Sequence, residues 1–490
     1  MSLRQQAVSG VLWSALEKWG GKLFSLLVFL LLARLLSPED FGLVALAGVF
    51  VTFAQVVVAQ GLAEAIIQRD ELERGHLETA FWINVATGLA ATALTLLLAK
   101  PIAAGLGTPA LEPILRALSP LFLLNSLNAV QTALMRRDLA FRSLAARTIG
   151  ANIAGGVVGI GMAVAGYGVW SLVGQQLAAK AAEVALLWSM SQWRPGLGPS
   201  GRHARDLFGF SVHTVGISLL TFLSRHSDDL LIGYVLGPVA LGYYTVAYRV
   251  LSTLLDVLTG VTRQVAFPVF SRLQQEPERL LRAFYSATRY TAFASFPTFF
   301  ALAALAPEVI PVFFGPQWGP SVPVMMWLAV AGVLSSVTFF NGSVLVAVGK
   351  PSWSLFAMAL SVVAAVVGFA VAVQWGIVAV AAAVAVRAYV FSPVSLWLIG
   401  RVLPLSGRAY VRQFVPAAAG SLGLVAAVVA LRLARPPLPD VAFLALAGVL
   451  GSAVYLGTVQ LLAPTARTEA LGLLRSIRGP REAVTPDPQT

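Results

Sequence analysis

The chain has 490 residues, of which 58% are hydrophobic and only 11% charged, against about 45–50% and about 25% in an average soluble domain. A soluble protein of this length needs far more polar surface to cover its core, and a mean hydropathy of +0.80 excludes both an ordinary globular enzyme and a disordered chain. The net charge of +12 belongs to membrane topology, as the placement of Lys and Arg shows, and no nucleic-acid partner is expected.

Fourteen apolar runs fall at 8–34, 41–67, 77–99, 113–135, 143–165, 168–191, 207–233, 239–270, 284–306, 322–348, 352–373, 376–400, 411–431 and 440–463. Each is near the ~20 residues that one helical span requires. Only helices or a closed barrel satisfy their backbone in lipid, and continuous, non-alternating runs read as helices. The fold class is therefore all-α, a polytopic membrane protein of about 14 transmembrane helices. The start, MSLRQQAVSG, leads into a span of normal length with no A-x-A site, so no cleavable signal is expected.

Basic residues alternate between the two sets of span ends. The set holding both termini carries 21 Lys and Arg; the other carries Lys100, Arg116, Arg432 and Arg435, with Arg34 at a boundary. The positive-inside rule then puts both termini in the cytoplasm. The expected location is the bacterial cytoplasmic (inner) membrane, crossed many times. Outer loops are short, as at Gly166-Tyr167-Gly168 and Gln374-Trp375-Gly376, which argues against membrane-bound sugar polymerases and ligases.

A repeat is visible at an offset of 200. ARLLSPEDFGLVALA (33–47) matches GYVLGPVALGYYTVA (233–247) at Leu36/Leu236, Pro38/Pro238, Gly42/Gly242 and Ala47/Ala247. Gly168-Val169 follows span five as Gly376-Ile377 follows span eleven. Six spans per unit gives two lobes of the same orientation around a central cavity, a transporter plan. The expected division is 1–200 (spans one to six), 201–405 (seven to twelve), 406–464 (an additional pair of spans) and a polar cytoplasmic tail, 465–490. Within the first turn, Ser37 is placed to cap span two and Pro38 to occupy its first position.

Charges at bilayer depth cost at least about 2.5–3.5 kcal/mol each, so each needs water, a partner or a route to the interface. Span one carries Glu17, Lys18 and Lys22; span two, Gln60 and Glu64; span seven, Arg225, Asp228 and Asp229. Span eight carries Arg249, Asp256 and Arg263, seven apart and so on one stripe; Arg387 lies in span twelve. Arg225 is within i+3 and i+4 reach of both acids. Lys180 with Glu183 reads as a structural pair, and Arg289 as a snorkelling residue. Trp318, Tyr243 and Tyr244 read as part of an interfacial aromatic belt.

Bases outnumber acids across these spans, which points to an anionic substrate; Arg forks and Lys point charges both suit phosphate. Lys18, Lys22, Arg225, Arg249, Arg263 and Arg387 are the candidate cationic cavity. Glu17, Glu64, Asp228, Asp229 and Asp256 are candidates for charge balance or ion coupling. With no cysteine and four scattered histidines, no metal centre is expected. There is no Walker loop, GxSxG or HExxH, so no catalytic residue and no cofactor is expected, and transport draws on gradients or substrate flux.

The segments LARLLSPEDFGLVALA (32–47), GLAEAIIQRDEL (61–72), RRDLAFRSLAAR (136–147), DDLLIGYVLGPVALGYYTVAYRV (228–250) and AFPVFSRLQQEPERL (266–280) resemble the polysaccharide transporter branch of the multidrug/oligosaccharidyl-lipid/polysaccharide exporter superfamily. The resemblance covers roughly residues 1–460. It implies a two-lobed bundle with a cationic cavity that flips undecaprenyl-pyrophosphate-linked oligosaccharide repeat units, precursors of lipopolysaccharide O-antigen or exopolysaccharide, by alternating access. The partners it implies are that lipid-linked oligosaccharide, membrane lipid, and a polymerase with other glycan-assembly proteins. Alternatives are a peptidoglycan-precursor flippase, a multidrug or organic-cation antiporter of the same superfamily, whose cavity should be acidic and aromatic, and more distantly a membrane glycosyltransferase or ligase.

Overall fold

The computed structural model describes residues 20–22, 24–59, 66, 72–196, 198, 200–201, 203, 211–434 and 438–464, with the side chains of 57–59, 211–215 and 261–265 outside the description. Among the described residues there are helices and turns and no strand. In chain order the long helices are α1 (20–35, residue 23 apart), α2 (Pro38–Ala59), α3 (Arg74–Gly105) and α4 (Leu111–Arg137, broken at Ser119). They continue with α5 (Phe141–Val164), α6 (Val169–Met190), α7 (Ser211–Val235), α8 (Gly237–Arg272) and α9 (Pro277–Phe313). The chain then forms α10 (Ser321–Ala347), α11 (Pro351–Ala372), α12 (Ile377–Gly400), α13 (Val415–Leu433) and α14 (Asp440–Leu462).

Ten of these are long and apolar enough to cross a membrane: α2 to α5 and α9 to α14. Helices α6, α7 and α8 fall outside that ten although they run 22, 25 and 36 residues. They are the helices that carry Lys180 and Glu183, Arg225, Asp228 and Asp229, and Arg249, Asp256 and Arg263. Ten of the fourteen expected spans therefore meet the criterion of length and apolarity among the described residues. At 1.5 Å per residue α8 is about 54 Å long, more than the ~30 Å hydrocarbon thickness.

Lipid tails are as apolar as leucine, so helices associate here through close packing and small residues. Helices α5 and α6 show it. A Cβ added at Gly155 would lie 2.7 Å from the Ala179 Cβ, and one at Gly159 2.8 Å from the Gln175 Cβ. Outward residues such as Val157, Leu97 and Leu461 are exposed, as lipid contact requires. The main core joins α1 and α2 to α8, α9, the turn after α9 and α10 through Leu32, Phe41, Tyr244, Phe299, Trp318 and Leu328.

At the end of the bundle that carries few Lys and Arg, called the charge-poor end below, the two copies of the repeat meet. A Cβ added at Gly42 would lie 1.7 Å from the Pro238 carbonyl oxygen, and one at Gly242 would lie 1.8 Å from that of Pro38. The contact is reciprocal, residue for residue, as a two-fold relation between 38–42 and 238–242 makes it. Ser37 caps α2 as expected: its Oγ accepts from the Asp40 N–H at 3.2 Å, while Asp40 Oδ2 accepts from the Ser37 N–H at 2.9 Å. The second repeat marker holds too. Gly168 and Gly376 precede α6 and α12 with φ of +53° and +91°, a region that glycine enters without a Cβ penalty.

Two aromatic assignments are corrected. Trp318 and Tyr244 are fully buried within the bundle and do not face lipid. The Trp318 Nε1–H donates to the Ala33 carbonyl at 2.8 Å, and the Tyr244 hydroxyl donates to Asp228 Oδ2 at 2.6 Å. A buried ring with one polar atom holds its place only where that atom is partnered.

Candidate functional site: a cationic cavity between α1 and α8

Helix α1 runs antiparallel to α8 and brings Lys22 and Ser25 against Arg249 and Asp256. Lys22 Nζ lies 2.5 Å from Asp256 Oδ2, and the Arg249 guanidinium donates to Ser25 Oγ at 3.2 Å. Arg249 also lies 5.7 Å over the Phe29 ring, a cation–π distance. Lys22, Ser25, Arg249 and Asp256 line a cavity of about 360 Å³ with Ser252, Thr253, Thr148 and Asn152. Lys22 is 14 residues from Leu36 at the charge-poor end of α1, about 20 Å along a helix, and so lies deep within a ~30 Å hydrocarbon layer.

Side-chain exposure decides what this ion pair is for. Lys22 and Asp256 are 41% and 57% exposed where they line this cavity. A pair this exposed is worth about 0–1 kcal/mol, so another anion can take the place of Asp256 at little cost. The network on α6 is different. Glu183 accepts from Lys180 at 2.5 Å and lies 3.4 Å from Arg147 NH1, and Arg147 also donates to Thr132 Oγ1 at 3.0 Å. Lys180 and Glu183 are thus structurally paired, as expected, with Arg147 as an unforeseen third member.

The other expected cavity residues are not gathered here. Glu17, Lys18 and Glu64 lie outside the described residues, as does the side chain of Arg263. Arg387 lines a separate cavity of about 290 Å³ among α7, α10, α11 and α12, with Ser224, Ser361 and Asn341. Arg225 is exposed, and its expected pairing with the two acids does not occur. Asp228 is taken by Tyr244, and Asp229 Oδ2 lies 3.2 Å from His226 Nδ1. Both acids point toward partners that the helical spacing alone did not single out.

Residues missed by a search for isolated charges include Arg147, which was counted at the basic ends. It is 7% exposed, six residues into α5, where Glu183 and Thr132 meet it. A polar i,i+4 pair in an apolar span, Thr148 and Asn152, marked that helix face. Two of the scattered histidines also meet: His76 and His203 have ring centroids 4.3 Å apart, and His203 Nε2 lies 3.2 Å from Glu73 Oε2. With the Trp82 Nε1–H donating to the Gly196 carbonyl at 2.8 Å, these contacts tie the segment after α6 to the start of α3.

The charge-poor side of the cavity is shut by more than the glycine crossing. The Arg34 guanidinium donates to the carbonyls of Val312 and Phe313, and Gln317 Nε2 donates to the Ala33 carbonyl at 3.0 Å. The C-terminal pair of helices is fastened to α9: Arg432 holds Glu308 through two hydrogen bonds of 3.0 and 2.8 Å, and the Tyr455 hydroxyl donates to the Phe293 carbonyl at 2.7 Å.

Known proteins share both this sequence and this fold. The chain is 26% identical over 422 residues to the teichuronic acid biosynthesis protein TuaB of Bacillus subtilis (strain 168), covering 84% of this chain and 86% of that one. It is 31% identical over 331 residues to the succinoglycan biosynthesis transport protein ExoT of Rhizobium meliloti (strain 1021), covering 67% of each. The solved structure of the lipid II flippase MurJ in an inward closed conformation is similar in fold, with a TM-score of 0.73 at 15% identity over 93% of this chain and 99% of that one. The profile of a family described as polysaccharide biosynthesis protein matches residues 31–323, and the chain belongs to that family.

Proposed function

We propose that the protein is a flippase that carries undecaprenyl-pyrophosphate-linked oligosaccharide repeat units across the bacterial cytoplasmic membrane by alternating access. The observation that carries this reading is the exposed Lys22–Asp256 pair beside Arg249, lining a cavity between α1 and α8. The pyrophosphate takes Lys22 from Asp256 and engages Arg249, while Asp256 stays as the charge that is released and recaptured. The polyprenyl tail remains in lipid and the glycan crosses in the wet interior.

Residues 1–200 and 201–405 are the two rocking lobes, with 406–464 carried on the second through the Arg432–Glu308 attachment. Both termini face the cytoplasm, and the tail from 465 is cytoplasmic. The shut charge-poor side supports a state open toward the cytoplasm, ready to load. Delivery at the outer face feeds a polymerase and the other glycan-assembly proteins. The names of the relatives, biosynthesis and transport of surface polysaccharides, support this cargo over an organic cation, which a cavity with two bases and one acid does not suit.

The test is a flux assay in proteoliposomes with lipid-linked oligosaccharide, comparing Lys22→Ala and Arg249→Ala with wild type. Both variants are expected to lose transport while remaining folded and monodisperse. Unchanged flux in both overturns the assignment. Restoration of cell-wall synthesis in cells lacking a peptidoglycan-precursor flippase, with no effect on polysaccharide export, transfers the reading to that cargo.

A further inference from the structure

The cavity at Lys22 has a neighbour. Thr148 and Asn152 of α5 line it and also line a second cavity, of about 500 Å³, enclosed by α2, α4, α5 and α6. That volume lies within the ~300–1,000 Å³ of ligand clefts. Its polar wall is of another kind: Gln55 of α2, Asn125 of α4 and Gln176 of α6 present carboxamides, with Asn152 at the shared boundary.

The charges on this wall are spent on one another, since Glu183 lies between Lys180 and Arg147. The carboxamides are not spent. Gln55, Asn125 and Gln176 are half-buried, and among the described residues none of the three side chains hydrogen-bonds to the protein. Each brings two N–H donors and a carbonyl acceptor without net charge. Such groups, withdrawn from bulk water yet unpaired, are placed to bind a ligand that both donates and accepts.

The cavity among α7, α10, α11 and α12 in the other half lacks this surface. It has Arg387 and several serines, and its one carboxamide is buried, with Asn341 Nδ2 donating to Ser395 Oγ at 2.7 Å. The unpaired carboxamides are thus gathered in the cavity that shares Thr148 and Asn152 with the one at Lys22.

Resting on the flippase reading above, we infer that the cavity among α2, α4, α5 and α6 is a sugar-binding subsite. Gln55, Asn125 and Gln176 hydrogen-bond the ring hydroxyls and acetamido groups of the first sugars while the pyrophosphate is held at Lys22 and Arg249. Hydroxyls are donor and acceptor at once, as carboxamides are, and a site built to hydrogen-bond its ligand discriminates against one lacking those groups. The glycan thus leaves the pyrophosphate toward the N-terminal half of the molecule.

The experiment is equilibrium binding to the full chain in lipid nanodiscs with two probes. One is undecaprenyl pyrophosphate; the other is the lipid-linked oligosaccharide isolated from cells lacking this protein. The quantity read is the ratio of the two affinities, which partial loss of folded protein does not move. Wild type is expected to prefer the sugar-bearing lipid. Gln55→Leu/Gln176→Leu and, separately, Asn125→Ser are expected to weaken binding of that lipid about tenfold and leave undecaprenyl pyrophosphate within about twofold. An unchanged ratio in both variants, or a wild type that binds the two lipids equally, overturns the subsite and leaves the flippase reading standing. A wild type that binds neither lipid overturns both.

Discussion

Gly42 and Gly242 each sit against the carbonyl of the proline that begins the other's helix. No side chain is available to yield at either point, since the atoms facing the two glycines are backbone oxygens at 1.7 and 1.8 Å from an added Cβ. The crossing of α2 and α8 therefore sets how tightly the charge-poor side can close. Gly42→Ala has to push Pro238 away by about 2 Å to reach an ordinary contact distance of about 3.5 Å. Spin labels at Glu39 and Val239, in the first turns of the two helices, are expected to report that widening in distance measurements. Gly242→Ala should match it, each with about 1–3 kcal/mol lost to overpacking. Unchanged distances in both variants count against this crossing as the closure.

Lys22 and Asp256 can be exchanged to separate a structural tie from a binding role. Lys22→Glu with Asp256→Lys restores a pair of opposite charges between α1 and α8 and should restore thermal stability. It moves the cation to the other helix, so the contact to pyrophosphate, worth about 1.5–3 kcal/mol, is lost. Flux is expected to fall roughly ten- to a hundredfold. A double variant that transports as well as wild type marks the pair as a strut.

Tyr244→Phe removes the donor to Asp228 Oδ2, whose residue is 4% exposed. The acceptor is left buried without that partner, at about 1–3 kcal/mol. Denaturation in detergent is expected to shift by that amount. Asp228→Asn on the Tyr244→Phe background should recover part of it, because a neutral carboxamide tolerates burial better than a carboxylate. No shift in Tyr244→Phe contradicts the role given to this hydroxyl.

Arg432→Ala breaks the two-pronged contact with Glu308. With Arg432 and Glu308 side chains 40% and 14% exposed, the loss should fall between surface and buried pairs, about 1–2 kcal/mol. Adding Glu308→Ala should cost little more, since the partners share one interaction. A full second loss on adding it shows that the two residues act independently.

The extent to which the sequence foretold this structure follows from what the prediction signals measure. Apolar length finds α2 to α5 and α9 to α14 because lipid imposes that length. The repeat at 38–42 and 238–242 was visible as identities and is met as a reciprocal contact. Lys22, Arg249 and Asp256 were identified because a charge at bilayer depth is costly wherever it points. Gln55, Asn125 and Gln176 carry no charge and raised no such flag. Arg147 fell inside the expected span 143–165 but was counted with the basic ends, because a cation near a span end reads as a topology signal. The Arg225 pairing failed because helical spacing gives reach but not preference: Tyr244 and His226 offered the acids closer partners. His76 and His203 meet across 127 positions of chain, a separation over which periodicity carries no information.

The closure at the charge-poor end is made mostly with main-chain oxygens: those of Pro38 and Pro238 at the glycines, Ala33 under Trp318 and Gln317, and Val312 and Phe313 under Arg34. Every residue has a carbonyl, so most changes of side chain leave these acceptors as they are. The lining of the interior is consequently free to drift toward new glycans without unsealing the barrier, and one chassis can be retuned to many surface polymers.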